Sequence, residues 1–151
     1  MARLRMPIKA RGTATLRWAR WKEKQRQIVQ RRAGYKCEAC GSNMRPLELA
    51  HLVGRNNKGV GEPWASSAEL TAALCSSGYG FTGCHDRIDR AISPDLQANL
   101  RWKALNALMD RYHSDLVPSS DDPLDVIRAA VQQLEEEGWG FDVERQEIVK
   151  A

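Results

Sequence analysis

Only four cysteines occur in the 151 residues, and they fall as two pairs: Cys37 and Cys40 in CEAC, then Cys75 and Cys84 in LCSSGYGFTGCH. Two intervening residues let the Cys37 and Cys40 thiolates address one metal ion from a single tight turn. The second pair closes a glycine-rich loop and can complete a tetrahedral thiolate shell, which suits a structural Zn²⁺. The competing use of four cysteines is two disulfides, which need an oxidising compartment. The stretch MARLRMPIKARG is basic and lacks the apolar run of a signal peptide. Metal binding in a reducing cytoplasm is therefore the expected use. The spacing of the second pair is unusual, because eight residues stand where a tight knuckle has two. With every cysteine engaged in the shell, His51 in LELAHLVGR and His85, directly after Cys84, are left for chemistry.

Charge is distributed unevenly. Residues 1–36 carry twelve Lys/Arg against Glu23 alone, residues 37–113 balance at eight and eight, and residues 114–151 hold ten acids against three bases. A basic segment of this density favours a polyanion, most simply nucleic acid. Arg3, Arg5, Arg11, Arg17 and Arg20, with Arg55 and Lys58 further on, are the candidate contacts. The competing uses are solubility, or pairing of the basic segment with the acidic tail. No stretch approaches the ~20 apolar residues of a membrane span, so no membrane partner is expected.

Length suits one domain. Residues 1–12 show no apolar periodicity and include Pro7 and Gly12, which reads as an arm. Residues 15–33 read as a helix with Trp18, Trp21 and Ile28 on one face, ending at Gly34. The two tryptophans are expected to pack this helix against the cysteine knuckle rather than to stack on bases. LELAHL reads as a strand, 54–67 as a loop, and 69–74 as a short segment leading into Cys75. CHDRIDRA reads as a short helix that places His85 and Asp89 on one face. Ser93 and Pro94 open a longer helix with the stripe Leu96, Leu100, Leu105, Leu108, Met109 and Tyr112. Asp122-Pro123 opens a last helix whose stripe, Leu124, Ile127, Val131 and Leu134, serves either a core or a partner. From Trp139 onward only a possible strand is legible.

Taken in order, CEAC, AHLVGR and LC…GCHDRID resemble the HNH endonucleases, and the glycine-rich loop before GCH is similar to phage and mobile-element members. The resemblance covers residues 35–92. It implies an α+β fold: a small ββα-metal core on a four-cysteine zinc knuckle, flanked by several helices, with 1–34 a basic arm and helix and 93–151 a helical extension. It implies metal-dependent cleavage or nicking of double-stranded DNA in a bacterial or phage-infected cytoplasm, leaving a 5′ phosphate. His51 matches the general base, a task that suits an imidazole with an unperturbed pKa of ~6.5. His85 and Asp89 match the ligands of a catalytic Mg²⁺, Mn²⁺ or Ni²⁺, with Asp in place of a more usual His. Arg55 matches a basic residue able to clamp a phosphate oxygen.

Two positions depart from that pattern. Ala50 stands where a metal ligand normally precedes the base, and Leu70 where the middle Asn is expected. Glu48, two residues before Ala50 on the same strand face, can supply an oxygen if it points inward. The departures keep two other functions in view: a catalytically degenerate zinc-knuckle DNA-binding protein, and a phage structural or packaging accessory whose acidic C-terminal helix binds a partner.

Overall fold

Four α-helices and two small antiparallel sheets make up the described residues, 13–54 and 59–151, of a computed structural model, so the fold is α+β. The first helix, α1 (Thr13–Ala33), is followed by strand β1 (Leu47–His51) and, after two short 3₁₀ turns, by strand β2 (Thr71–Cys75). These strands pair antiparallel with Ala50 opposite Ala72 and His51 opposite Thr71. Helix α2 (Cys84–Asp89) follows and packs on β2, completing a strand–strand–helix unit. Beyond it come α3 (Pro94–Tyr112), α4 (Pro123–Glu136) and a hairpin of β3 (Trp139–Asp142) and β4 (Glu147–Lys150).

Every residue of β2 is buried, because α1 covers one face of the strand and α2 the other. A continuous apolar run such as TAALC is what a strand covered on both faces requires. On β1, period-two alternation separates the neighbours. Leu47 and Leu49 pack toward Val29 of α1, whereas Ala50 joins the main core.

The stripe of α3 is core as expected: Leu100, Leu105, Leu108 and Tyr112 are buried, with Leu96 and Met109 packed against them. The stripe of α4 is also core, with Ile127, Val131 and Leu134 buried. At ~1.5–3 kcal/mol for each large side chain removed from water, that face is committed to the fold and is not available to a partner. Asp122 caps α4 by accepting a 2.9 Å hydrogen bond from the Leu124 amide. Ser93 makes no such bond at the start of α3, where Pro94 alone marks the first turn.

The tryptophans of α1 do pack, but against a different element. Trp18 and Trp21 stack with ring centroids 5.0 Å apart, and both meet Phe141 of the C-terminal hairpin edge-on. Val29 rather than Ile28 is the buried aliphatic of α1. Among the described residues no helix is long and apolar enough to cross a membrane.

Candidate active site and metal centre

The Cys37–Cys40 turn is held by backbone bonds from Gly41 N to Cys37 O (2.8 Å) and from Cys37 N to Ser42 O (2.9 Å). The eight-residue spacing of the second pair resolves into a miniature hairpin. Gly78 and Phe81 bond reciprocally at 3.1 and 2.9 Å, and the tip residues Tyr79 and Gly80 both have positive φ, as a type I′ turn requires. Arg45 braces the loop, with its guanidinium 3.5 Å from the Phe81 ring centroid and a 3.2 Å bond to Gly78 O. At the loop's end Gly83 lies so close to β2 that a Cβ there would meet Cys75 O at 2.4 Å. Only glycine lets α2 begin beside the strand it follows.

These devices bring Cys37, Cys40, Cys75 and Cys84 together, with all four sulfurs within 4.8 Å of one another. No disulfide joins any of the four, which stand as free thiols. Cys40 Sγ and Cys75 Sγ are 3.8 Å apart. A tetrahedral site with Zn–S bonds of ~2.3 Å places its sulfurs about 3.8 Å apart, so the cluster has the dimensions to hold such an ion. Burial pushes the Cys37 thiol up, but amides of Cys40, Cys75 and Ala39 and the Cys40 thiol outweigh it, and the net pKa is lowered to about 7. Cys84 is driven upward, by burial first and then by the thiols of Cys75, Cys37 and Cys40; burial also raises Cys75. A cluster in which one thiol ionises readily and two resist needs a cation to become fully deprotonated.

Arg32 and Glu38 tie this cluster to α1. Arg32 donates two bonds, 2.7 and 3.0 Å, to the Glu38 carboxylate, and further bonds to the carbonyls of Ala68 and Thr71. Glu38 in turn accepts the Ala73 amide at 2.8 Å. The knuckle, the helix and the outer edge of β2 thus share one polar clamp.

On the opposite side of the hairpin, α2 presents His85 between two carboxylates. His85 Nδ1 is 2.8 Å from Glu48 Oε2, and His85 Nε2 is 3.1 Å from Asp89 Oδ2. The helix spacing of His85 and Asp89 therefore produces the shared face expected of it. Glu48 does point inward, but to the far edge of the imidazole from Asp89. The Nε2–Oδ2 separation of 3.1 Å is hydrogen-bond distance between ring and carboxylate. Glu48, on the other nitrogen, is placed to orient the ring.

His51, at the end of β1, lines a cavity of 290 Å³ together with Gly54, Ile88, Asp89, Gln97 and Arg101. The cavity therefore joins the expected base to one expected ligand. Gln97 and Arg101 come from α3, outside the segment that carries the family motif. Their signal in the sequence is the four-residue spacing that places both polar side chains on one face of α3. Ala50 and Leu70 are fully buried in the core, so neither position offers a polar group.

Of the candidate nucleic-acid contacts, Arg17 forms an ion pair with Glu144 of the C-terminal hairpin, and Arg20 is exposed. Lys24 and Arg31 of α1 are exposed as well. Arg3, Arg5, Arg11, Arg55 and Lys58 lie outside the described residues. Part of the basic excess of α1 is thus neutralised internally, by Glu144 at Arg17, by Glu38 at Arg32 and by Glu23 at Arg26.

No protein-family model, curated protein or solved structure matches the chain.

Proposed function

We propose that the protein is a metal-dependent endonuclease of the HNH type, cutting or nicking DNA on a scaffold held by a structural zinc. The observation that carries this reading is the row Glu48–His85–Asp89 beside the cavity lined by His51. It sits on an antiparallel hairpin followed by a helix, directly behind a four-cysteine cluster. Zn²⁺ belongs at the four thiols because an all-sulfur tetrahedral set closes the shell and leaves no open position for catalysis.

Phosphodiester hydrolysis needs a base for water and a counter-charge for the leaving oxygen. His51 takes the proton of the attacking water. His85, through Nε2, and Asp89 would hold a divalent cation, which would supply charge stabilisation at the departing 3′ oxygen. Glu48 accepts a hydrogen bond from His85 Nδ1–H and so leaves Nε2 as the ring nitrogen open to a cation. The exposed Arg20, Lys24 and Arg31 of α1 attract the DNA backbone.

The test is conversion of supercoiled plasmid to nicked and linear forms with Mg²⁺, Mn²⁺ and Ni²⁺ in turn, on native protein and on His51→Ala. Cleavage that needs a cation and His51 supports the reading; no cleavage with any cation sinks it. A second reading, DNA binding without cleavage, is favoured by one observation: both nitrogens of His85 already face carboxylates, and the neighbouring positions 50 and 70 are apolar. Plasmid binding by gel shift with no cleavage is its signature.

A further inference from the structure

Arg101 projects from α3 with its Nε donating a 2.8 Å hydrogen bond to Leu52 O, just past the end of β1. That is the guanidinium's one hydrogen bond among the described residues, and no carboxylate pairs with it there. A guanidinium carries five N–H donors, so four are left to solvent or a ligand. Burial draws its pKa down from the usual arginine value against the opposing pull of the Asp122 carboxylate, with Arg128 adding to the fall, which marks a cation partly stripped of water. The group remains charged at any working pH, so this environment favours an anion. The cavity it lines also contains His51, Gly54 and Gln97, and among the described lining residues Asp89 is the one acid. Gln97 is held in place by donating to Ile88 O at 3.0 Å.

We propose that this cavity is a phosphodiester-binding site in which Arg101, anchored through Nε to the turn after β1, grips the non-bridging oxygens of one phosphate beside His51. Planar, pre-oriented N–H groups match phosphate oxygens two at a time, and the Leu52 carbonyl fixes the plane of the fork before ligand arrives. The volume of 290 Å³ is at the low end for a ligand pocket, room for a phosphate and an adjoining sugar rather than a stack of bases. The site therefore selects for the backbone and not for sequence. This inference deepens the nuclease reading and rests on it for the reaction, though not for the binding.

The experiment titrates the full chain, with no divalent cation added, with thymidylyl-3′,5′-thymidine, following the ¹⁵Nε signal of Arg101 by NMR. Thymidine, which lacks the phosphate, is the control ligand. A saturable shift with the dinucleotide and none with thymidine is expected. Arg101→Gln should weaken dinucleotide binding by about 10–100-fold, with Arg101→Lys in between, as for loss of a charge-assisted pair. In cation-supported cleavage of bis(4-nitrophenyl) phosphate the same substitution should raise KM more than it lowers kcat. Lys103→Gln, on the same helix but lining a different groove, should change neither. The absence of a saturable shift, or wild-type affinity in Arg101→Gln, overturns the site. Should Arg101→Gln melt early through loss of the Leu52 bond, the wild-type titration and Arg101→Lys still decide. Phosphodiester binding by a protein that cuts nothing would overturn the nuclease reading and leave this site standing. Cleavage indifferent to Arg101 would do the reverse.

Discussion

Glu48 Oε2 lies 2.8 Å from His85 Nδ1, joining the middle of β1 to the first turn of α2 across the hairpin's face. A carboxylate on one imidazole nitrogen fixes the tautomer and sets the ring's orientation. Glu48→Gln and Glu48→Ala should therefore weaken divalent-cation binding by ~10–100-fold while zinc content stays the same. Calorimetric titration with Mn²⁺ reads this directly. Unchanged Mn²⁺ affinity in both variants would show that Glu48 is only a surface partner.

His51→Ala should lower plasmid cleavage by ~10²–10⁴-fold, the usual worth of a positioned proton acceptor. Mn²⁺ affinity and DNA affinity should hardly move, because His51 does not share the Glu48–His85–Asp89 row. A parallel loss of Mn²⁺ binding would instead make His51 a ligand.

Purified protein should contain one zinc per chain. Structural zinc stabilises small peptides by ~10–16 kcal/mol at neutral pH, so Cys40→Ser or chelation should unfold the hairpin–helix unit. Zinc must displace thiol protons, and Cys84 and Cys75 hold theirs above the ordinary range. Zinc affinity should therefore rise with pH and fall as the solution is acidified. At Cys37, already lowered to about 7, a proton competes with zinc for the sulfur only as pH drops through that value. Zinc release followed with a chromogenic chelator between pH 8 and pH 5, an interval of roughly three decades in proton activity, checks the sign.

Restoring a ligand at position 50 looks attractive from the sequence, but the Ala50 side chain is fully buried and faces the core. Ala50→His should overpack that core at ~1–3 kcal/mol. Each kcal/mol corresponds to about 2–4 °C in Tm for a chain of this size. Thermal melting of Ala50→His, compared with a cation titration, separates strain from ligation. A variant that melts like native protein and binds Mn²⁺ more tightly would show that the cation sits next to this position.

Combined replacement of Arg20, Lys24 and Arg31 by alanine should shallow the dependence of log affinity for DNA on log salt. Each lost phosphate contact removes about 0.9 from the slope. Arg17→Ala should change it less, because Glu144 already neutralises that side chain. Equal effects from both variants would mean that the Arg17–Glu144 pair opens on DNA.

Local signals in the sequence reached the helices because each carries its own stop and start: Gly34 after α1, Pro94 at the head of α3, and Asp122-Pro123 before α4. The four cysteines were legible for the same reason, since paired spacing in the chain translates directly into convergence. What escaped depended on contacts between distant segments. Nothing near Trp18 or Trp21 points to Phe141 as their partner, and nothing near His51 points to Arg101. The direction of Glu48 followed from strand alternation, but its place on the far edge of His85 depends on how α2 docks.

The meeting of Trp18 and Trp21 with Phe141 also imposes an order in time. Residue 21 leaves the ribosome 120 residues before residue 141. At synthesis rates of ~5–20 residues per second, the two indoles wait about 6–24 s for the ring that covers them. During that interval α1 is a cationic helix with an uncovered aromatic stripe, the combination most prone to stray contacts with nucleic acid or chaperones. Closure waits for the β3–β4 hairpin, so replacing Phe141 with alanine would leave every residue of the cysteine cluster and the cavity in place, yet with the first helix unfastened.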